Sequence, residues 1–166
     1  MTSKIQNLHH AAYRCRDSEA TRQFYEDFLG LPLVDAFPIT TTKSERETQV
    51  LHSFYQMADG SCIAFFEEPS EPFDFKSQRD FDLHIALQVD RATLDAMFAK
   101  GKAAGIETRG VSDHGFLDSI YFRDPNGYVI ELTTPKGPPP FDSGKARDAL
   151  QRWQDSKHRT TSLSGR

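Results

Sequence analysis

With 166 residues, the chain is long enough for one well-formed core and too short for two independent domains of ordinary size. Hydrophobic residues make up 37% and charged residues 27%, a soluble globular balance, and no apolar run approaches the length of a membrane span. The net charge of −4 excludes the clustered basic footprint of a nucleic-acid binder.

The N-terminal stretch MTSKIQNLHH has no basic segment followed by an apolar one, so no secretory signal is expected and the expected location is the cytoplasm. Leu8 to Cys15 (LHHAAYRC) reads as a strand, and Asp17 or Ser18 then offers a helix N-cap. EATRQFYEDFLG places Ala20, Phe24, Phe28 and Leu29 on one helical stripe closed by Gly30. Three strands follow, LPLVDAF, TQVLHSFYQM and SCIAFFEE, with ADG as a tight turn between the last two. Cys15 and Cys62 have no second cysteine at zinc or redox spacing and are expected to be reduced core thiols.

The second half repeats this order. FDLHIALQVD is a strand, ATLDAMFAKGKAAG a helix with Leu94, Met97 and Phe98 on one side and Gly105 as its cap. IETRGVS, SIYFRD and YVIELTT are three strands, the last two joined across DPNG, where Pro125 pre-sets a turn dihedral and Gly127 accepts positive φ. Two βαβββ halves form an internal repeat, with His10 and His84 at matching places 84 − 10 = 74 residues apart. The expected fold class is therefore α+β. Residues 1–136 form a two-module domain, with module 1 at about 6–69, a Pro-containing linker at 70–80 and module 2 at about 81–136. Residues 137–166 read as a Pro-rich arm, a short helix docked by Leu150 and Trp153, and a disordered tail from HRTTSLSGR.

Glu131 sits mid-strand among β-branched and aromatic residues, where an inward carboxylate must be paired, protonated or bound to a cation. His10, His84 and Glu131 hold strand positions in the repeat, and two imidazoles with one carboxylate are the donor set of a facial triad on iron(II) or manganese. Taken singly, each histidine also fits a satisfied core or edge residue and Glu131 a solvent-facing carboxylate.

Across Leu8 to Thr134 the chain resembles the vicinal oxygen chelate superfamily, the glyoxalase/bleomycin resistance/dioxygenase fold. HHAAYRCRDSEATRQFYEDFLGLPL is similar to its first strand, helix and turn, DLHIALQVD to its fifth strand and YFRDPNGYVIEL to its closing hairpin. The resemblance implies two βαβββ modules forming a curved mixed sheet around a metal-binding cleft. It places the metal ligands on His10, rather than His9, on His84 and on Glu131. The fourth, glutamate ligand of glyoxalase-like members falls on Ala64, with Glu67 and Glu68 nearby. His114, Ile120, Tyr121, the run Asp124 to Gly127 and Glu131 resemble the extradiol dioxygenase motif in order and spacing, with Ser112 a departure from it.

That likeness implies His114 and Tyr121 as catalytic acid/base groups beside the metal and Arg14 as a binder of a substrate carboxylate, although a salt bridge to a neighbouring acid also suits Arg14. It implies ring cleavage of a catechol-like small molecule with dioxygen at Fe(II), with Mn(II) or another divalent ion next. A further acid/base histidine of ring-cleaving relatives has no counterpart in SEPFDFKSQRDFDL. A Lewis-acid lyase, isomerase or epimerase is the alternative enzyme, and a metal-free resistance-type binding protein the alternative outside catalysis. The expected assembly is a homodimer, with no nucleic acid and no membrane among its partners.

Overall fold

The structure is a computed structural model that describes residues 3–163 apart from 43 and 45, with no side-chain detail for 158–163. Its first half runs β1 (His10–Arg14), α1 (Ser18–Arg22), β2 (Leu33–Thr41), β3 (Glu47–Gln56) and β4 (Cys62–Glu67). The second runs β5 (His84–Gln88), α2 (Arg91–Ala103), β6 (Thr108–Asp113), β7 (Leu117–Arg123) and β8 (Val129–Pro135), and α3 (Ser143–Leu163) follows. Each half makes its own four-stranded sheet, in the orders β1-β4-β3-β2 and β5-β8-β7-β6. The pairs β1/β4 and β5/β8 are parallel and the others antiparallel.

Asp17 caps α1 by accepting from the Ala20 amide at 2.7 Å. The chain then widens into a π-helical segment, Gln23–Phe28. The wider turn shifts the inward face by one position, so Thr21, Phe24, Tyr25 and Phe28 are buried. The expected 3.6-residue stripe through Ala20 gives way to this set. In α2, Leu94 and Met97 face the core as expected and Phe98 packs beside them. Gly101 lies so close to Thr108 and Phe122 that a Cβ there would collide with the Thr108 hydroxyl. β2 extends past Pro38, which an edge strand tolerates because no inner ladder bond is lost there.

The two halves share one core. Phe28 meets Phe122 edge-on at 5.2 Å between ring centroids, and Tyr13 meets Tyr128 at 5.5 Å. The DPNG turn is the polar part of this junction. Asp124, 4% exposed, accepts from the Tyr25 hydroxyl at 3.0 Å, from the Asn126 and Tyr128 amides at 2.9 and 2.8 Å, and from the Asn126 side chain at 2.9 Å. Asn126 Oδ1 in turn accepts from the Arg16 amide at 2.8 Å. Burial pushes the Asp124 carboxyl above its ordinary value, against the pull of these donors. Gly127 has φ +96°, and a Cβ there would meet the Lys76 carbonyl oxygen at 2.6 Å.

The tail differs from expectation. Helix α3 runs through residues 158–163, within the stretch expected to be disordered, while 164–166 lie outside the described residues. Leu150 and Trp153 are 59% and 63% exposed, so the helix is not docked by them. The physical reason lies in composition: the helix's stretch from Ser143 to Lys157 offers only scattered apolar residues, and Phe141, Leu150 and Trp153 are all exposed. Among the described residues, no helix is long and apolar enough to cross a membrane.

Candidate metal centre

Residues directly opposite across a ladder share a face, and the registers therefore assign the candidates. In the second sheet His84, Glu131, Tyr121 and Ser119 fall on one face, through the pairs Ala86 with Glu131, Tyr121 with Glu131 and Ser119 with Thr133. His84 Nε2 stands 3.4 Å from Glu131 Oε2. The other imidazole nitrogen, Nδ1, is 2.7 Å from the Asp80 carbonyl. Because a carbonyl only accepts, Nδ1 carries the hydrogen and a neutral ring leaves the Nε2 lone pair aimed at Glu131. Asp80 is itself held by Arg109 through contacts of 2.7 and 3.0 Å, which keep its carboxyl below its usual range.

Glu131 is 8% exposed. Ser119 donates to its Oε1 in a short contact, and the Tyr121 hydroxyl reaches the same oxygen at 3.4 Å. His114 Nε2 lies 2.9 Å from that hydroxyl. Burial, and then the Glu131 charge, raises the Tyr121 phenol above its ordinary value, so it remains a hydroxyl at neutral pH. Arg109 stands over the Tyr121 ring at 5.2 Å. Four residues expected from the sequence, His84, Glu131, Tyr121 and His114, thus form one cluster. The supporting roles of Ser119, Asp80 and Arg109 are not among those expectations. Same-face alternation from Tyr121 is the one sequence sign of Ser119.

His10 lies on the first sheet. Its Nδ1 is 2.8 Å from His9 Nδ1, which leaves Nε2 as its outward nitrogen. Among the described residues, no three His, Cys, Asp or Glu side chains of one chain gather to hold a metal ion. His84 and Glu131 fit a divalent ion as two neighbouring ligands: metal bonds of about 2.0–2.2 Å put adjacent donors about 3 Å apart. Ala64, where the resemblance places a fourth ligand, is opposite both Ala12 and Phe54. Glu67 accepts from the Ser18 amide at 2.7 Å and Glu68 pairs with Arg14 at 3.2 Å, so both carboxylates are engaged elsewhere.

Arg14 shares the His10 face, but its guanidinium also donates to the Glu68 and Glu71 carbonyls at 2.9 and 3.1 Å. The charge a substrate carboxylate would meet is already met by Glu68. An apolar cavity of about 470 Å³ lined by Leu29, Leu31, Met57, Leu87, Val89 and Met97 contains none of the candidate residues.

The family model described as the Glyoxalase/Bleomycin resistance protein/Dioxygenase superfamily matches residues 7–132. The chain belongs to this superfamily. Within the superfamily, it is 28% identical over 159 residues to metallothiol transferase FosB of Bacillus licheniformis, covering 93% of this chain and 86% of the relative. The fold is similar to a glyoxalase/dioxygenase from Nostoc punctiforme, with 23% identity, a TM-score of 0.62 and coverage of 81% and 94% of the two chains. It is also similar to the fosfomycin resistance protein FosX from Listeria monocytogenes, solved in complex with Mn(II) and sulfate ion. That match has 23% identity, a TM-score of 0.58 and coverage of 80% and 94%.

Proposed function

We propose that this superfamily member is a divalent-metal enzyme that works as a homodimer, with His10 of one copy joining His84 and Glu131 of the other, and that it cleaves the ring of a catechol-like diol with dioxygen. The dimeric site is supported by the placement of the ligands: each chain presents His84 and Glu131 together on one sheet and His10 on another. A twofold pairing of copies completes two equivalent sites at once. Iron(II) suits the donor set, and manganese(II) is the alternative. His10, His84 and Glu131 would hold the ion, which would supply Lewis-acid chemistry and, as iron(II), redox chemistry.

The observation that carries ring cleavage is the 2.9 Å contact between His114 and Tyr121 beside Glu131. Tyr121 has one proton to give and His114 can take or return it, so the pair moves protons next to the substrate oxygens without occupying a ligand position. Ser119 holds Glu131 in place, and Asp80 fixes the ring of His84. In the overall reaction a ring carbon–carbon bond beside the diol breaks and both atoms of dioxygen enter the product, so no external reductant is consumed.

A second reading has its own support. The match to the FosB relative spans 93% of this chain, which favours metal-dependent transfer of a thiol to a small substrate. Anaerobic metal analysis separates the readings when followed by oxygen uptake with a panel of catechols and by thiol loss with fosfomycin. Oxygen consumed one to one with a catechol supports ring cleavage. Thiol consumption without oxygen uptake replaces it with transfer, and protein that binds neither metal rejects both.

A further inference from the structure

His52 is buried, 6% exposed, at the face of the first sheet that carries His10. Phe37 stands opposite it on β2 and Phe66 opposite it on β4. Its ring is stacked on Phe66 at 3.7 Å and 13°, and meets Phe37 edge-on at 5.5 Å and 78°. Its Nδ1 is 3.0 Å from the Phe65 carbonyl. That carbonyl can only accept, so Nδ1 carries the hydrogen, and a neutral ring presents Nε2 as a bare acceptor. No donor among the described residues is placed on Nε2. Nε2 is not among the buried side-chain atoms left without a partner, so in the free protein water can reach it and a ligand's donor can take that place.

The repeat shows that this position is used differently in the two halves. His52 faces Phe66 across its ladder as Ser119 faces Thr133 across the other. Ser119 is consumed internally, bonded to Glu131 and Thr133. In the first half no carboxylate needs that support, and an aromatic wall stands there instead. The His10 ring lies 5.5 Å from Phe54 and 6.4 Å from His52, and Phe54 and His52 are 4.2 Å apart. An aromatic ligand bound beside His10 would have the Phe54 ring to stack on and the His52 imidazole within reach of a ring substituent.

We propose that His52 is a substrate-binding residue whose Nε2 accepts a hydrogen bond from a third donor on the ring, a hydroxyl or amino group beyond the two chelating oxygens, while Phe54 stacks against the ring. This rests on the dimeric metal site proposed above. The substrate class narrows from a plain catechol to a ring diol carrying one more hydrogen-bond donor.

Anaerobic calorimetric titration of the metal-loaded protein with catechol, pyrogallol and benzene-1,2,4-triol tests this. The parent should bind one of the triols about three- to tenfold more tightly than catechol, the range of one added hydrogen bond. His52→Phe should lose that preference while keeping its catechol affinity and metal content. His52→Asn, which retains a donor toward the Phe65 carbonyl, should lose the preference too and serves if phenylalanine disturbs folding. Phe54→Leu should weaken all three ligands alike. No preference in the parent, or an equal preference in the His52 variants, overturns the assignment with the metal site intact. A parent that holds metal but binds no ring diol overturns both this assignment and the ring-cleavage reading, and metal analysis tells that outcome from loss of the site itself.

Discussion

Ala64 occupies the position in the first sheet that Glu131 occupies in the second. Two residues past His10, Ala12 pairs with Ala64; two residues past His84, Ala86 pairs with Glu131. Each chain therefore carries one such carboxylate, beside one of its two repeat-related histidines.

Metal should stabilise the protein through that carboxylate. At about 100 times its dissociation constant, an ion bound only to the folded state adds about 2.7 kcal/mol. Melting curves with manganese(II) or with a chelator should differ accordingly, and the difference should vanish in Glu131→Ala and His84→Ala. A metal-dependent shift of parental size in either variant would remove that residue from the ligand set.

Complementation tests where His10 belongs. His10→Ala and His84→Ala proteins should each be inactive, yet mixing them with exchange of subunits should restore activity. Random pairing makes half the dimers mixed, each with one intact site of two, so about a quarter of the parental rate is expected. No recovery after verified exchange would show that the site is not shared between copies. His9→Ala is the matched control and should keep its metal.

Removing the acid/base pair should separate binding from chemistry. Tyr121→Phe and His114→Gln should retain metal and lower turnover by about 10²–10⁴-fold, the usual contribution of such groups. Steady-state oxygen uptake with metal content measured on the same samples checks this. Parental rates in both variants would leave the 2.9 Å contact without a catalytic role.

Asp124 should make stability depend on pH. Its folded-state value is raised by burial, so the native protein holds the proton more tightly than the unfolded chain. The stabilisation linked to it is fully present below the ordinary aspartate value of about 3.9 and is lost as pH rises through the raised folded value. Asp124→Asn removes that titration and mismatches the Asn126 amide, at a cost of about 1–3 kcal/mol. Urea unfolding from pH 4 upward should show the parent's advantage shrinking across that window. A constant difference would mean that Asp124 does not titrate there.

Deleting residues 137–166 should leave the melting temperature of the two-module domain nearly unchanged, because Leu150 and Trp153 bury little surface. Trp153 is the chain's one tryptophan, so its fluorescence should report a solvent-exposed indole in the intact protein. A blue-shifted emission together with a lowered melting temperature on deletion would show that α3 is docked.

The local elements and the repeat were legible in the chain because they depend on short-range physics. Apolar runs bounded by turn residues marked β3, β4, β7 and β8, Asp17 and Gly105 marked helix ends, and DPNG marked the last hairpin. The resemblance to the extradiol motif brought His114, Tyr121 and Glu131 into view together, and that motif is local in sequence because all three lie within one hairpin and its flanking loop. Local pattern could not show the π-helical turn that carries Tyr25 into the core, because it breaks the 3.6-residue period on which such a pattern relies. Nor could it show that Asp124 of the turn joins the two halves through Tyr25, or that Asp80 orients His84 and Arg109 covers Tyr121. Those contacts depend on strand register and on how two sheets pack, distances that spacing along the chain does not encode. Register also decided that His52 faces the same side as His10, and packing decided that His10 stands apart from His84 and Glu131 in a single chain.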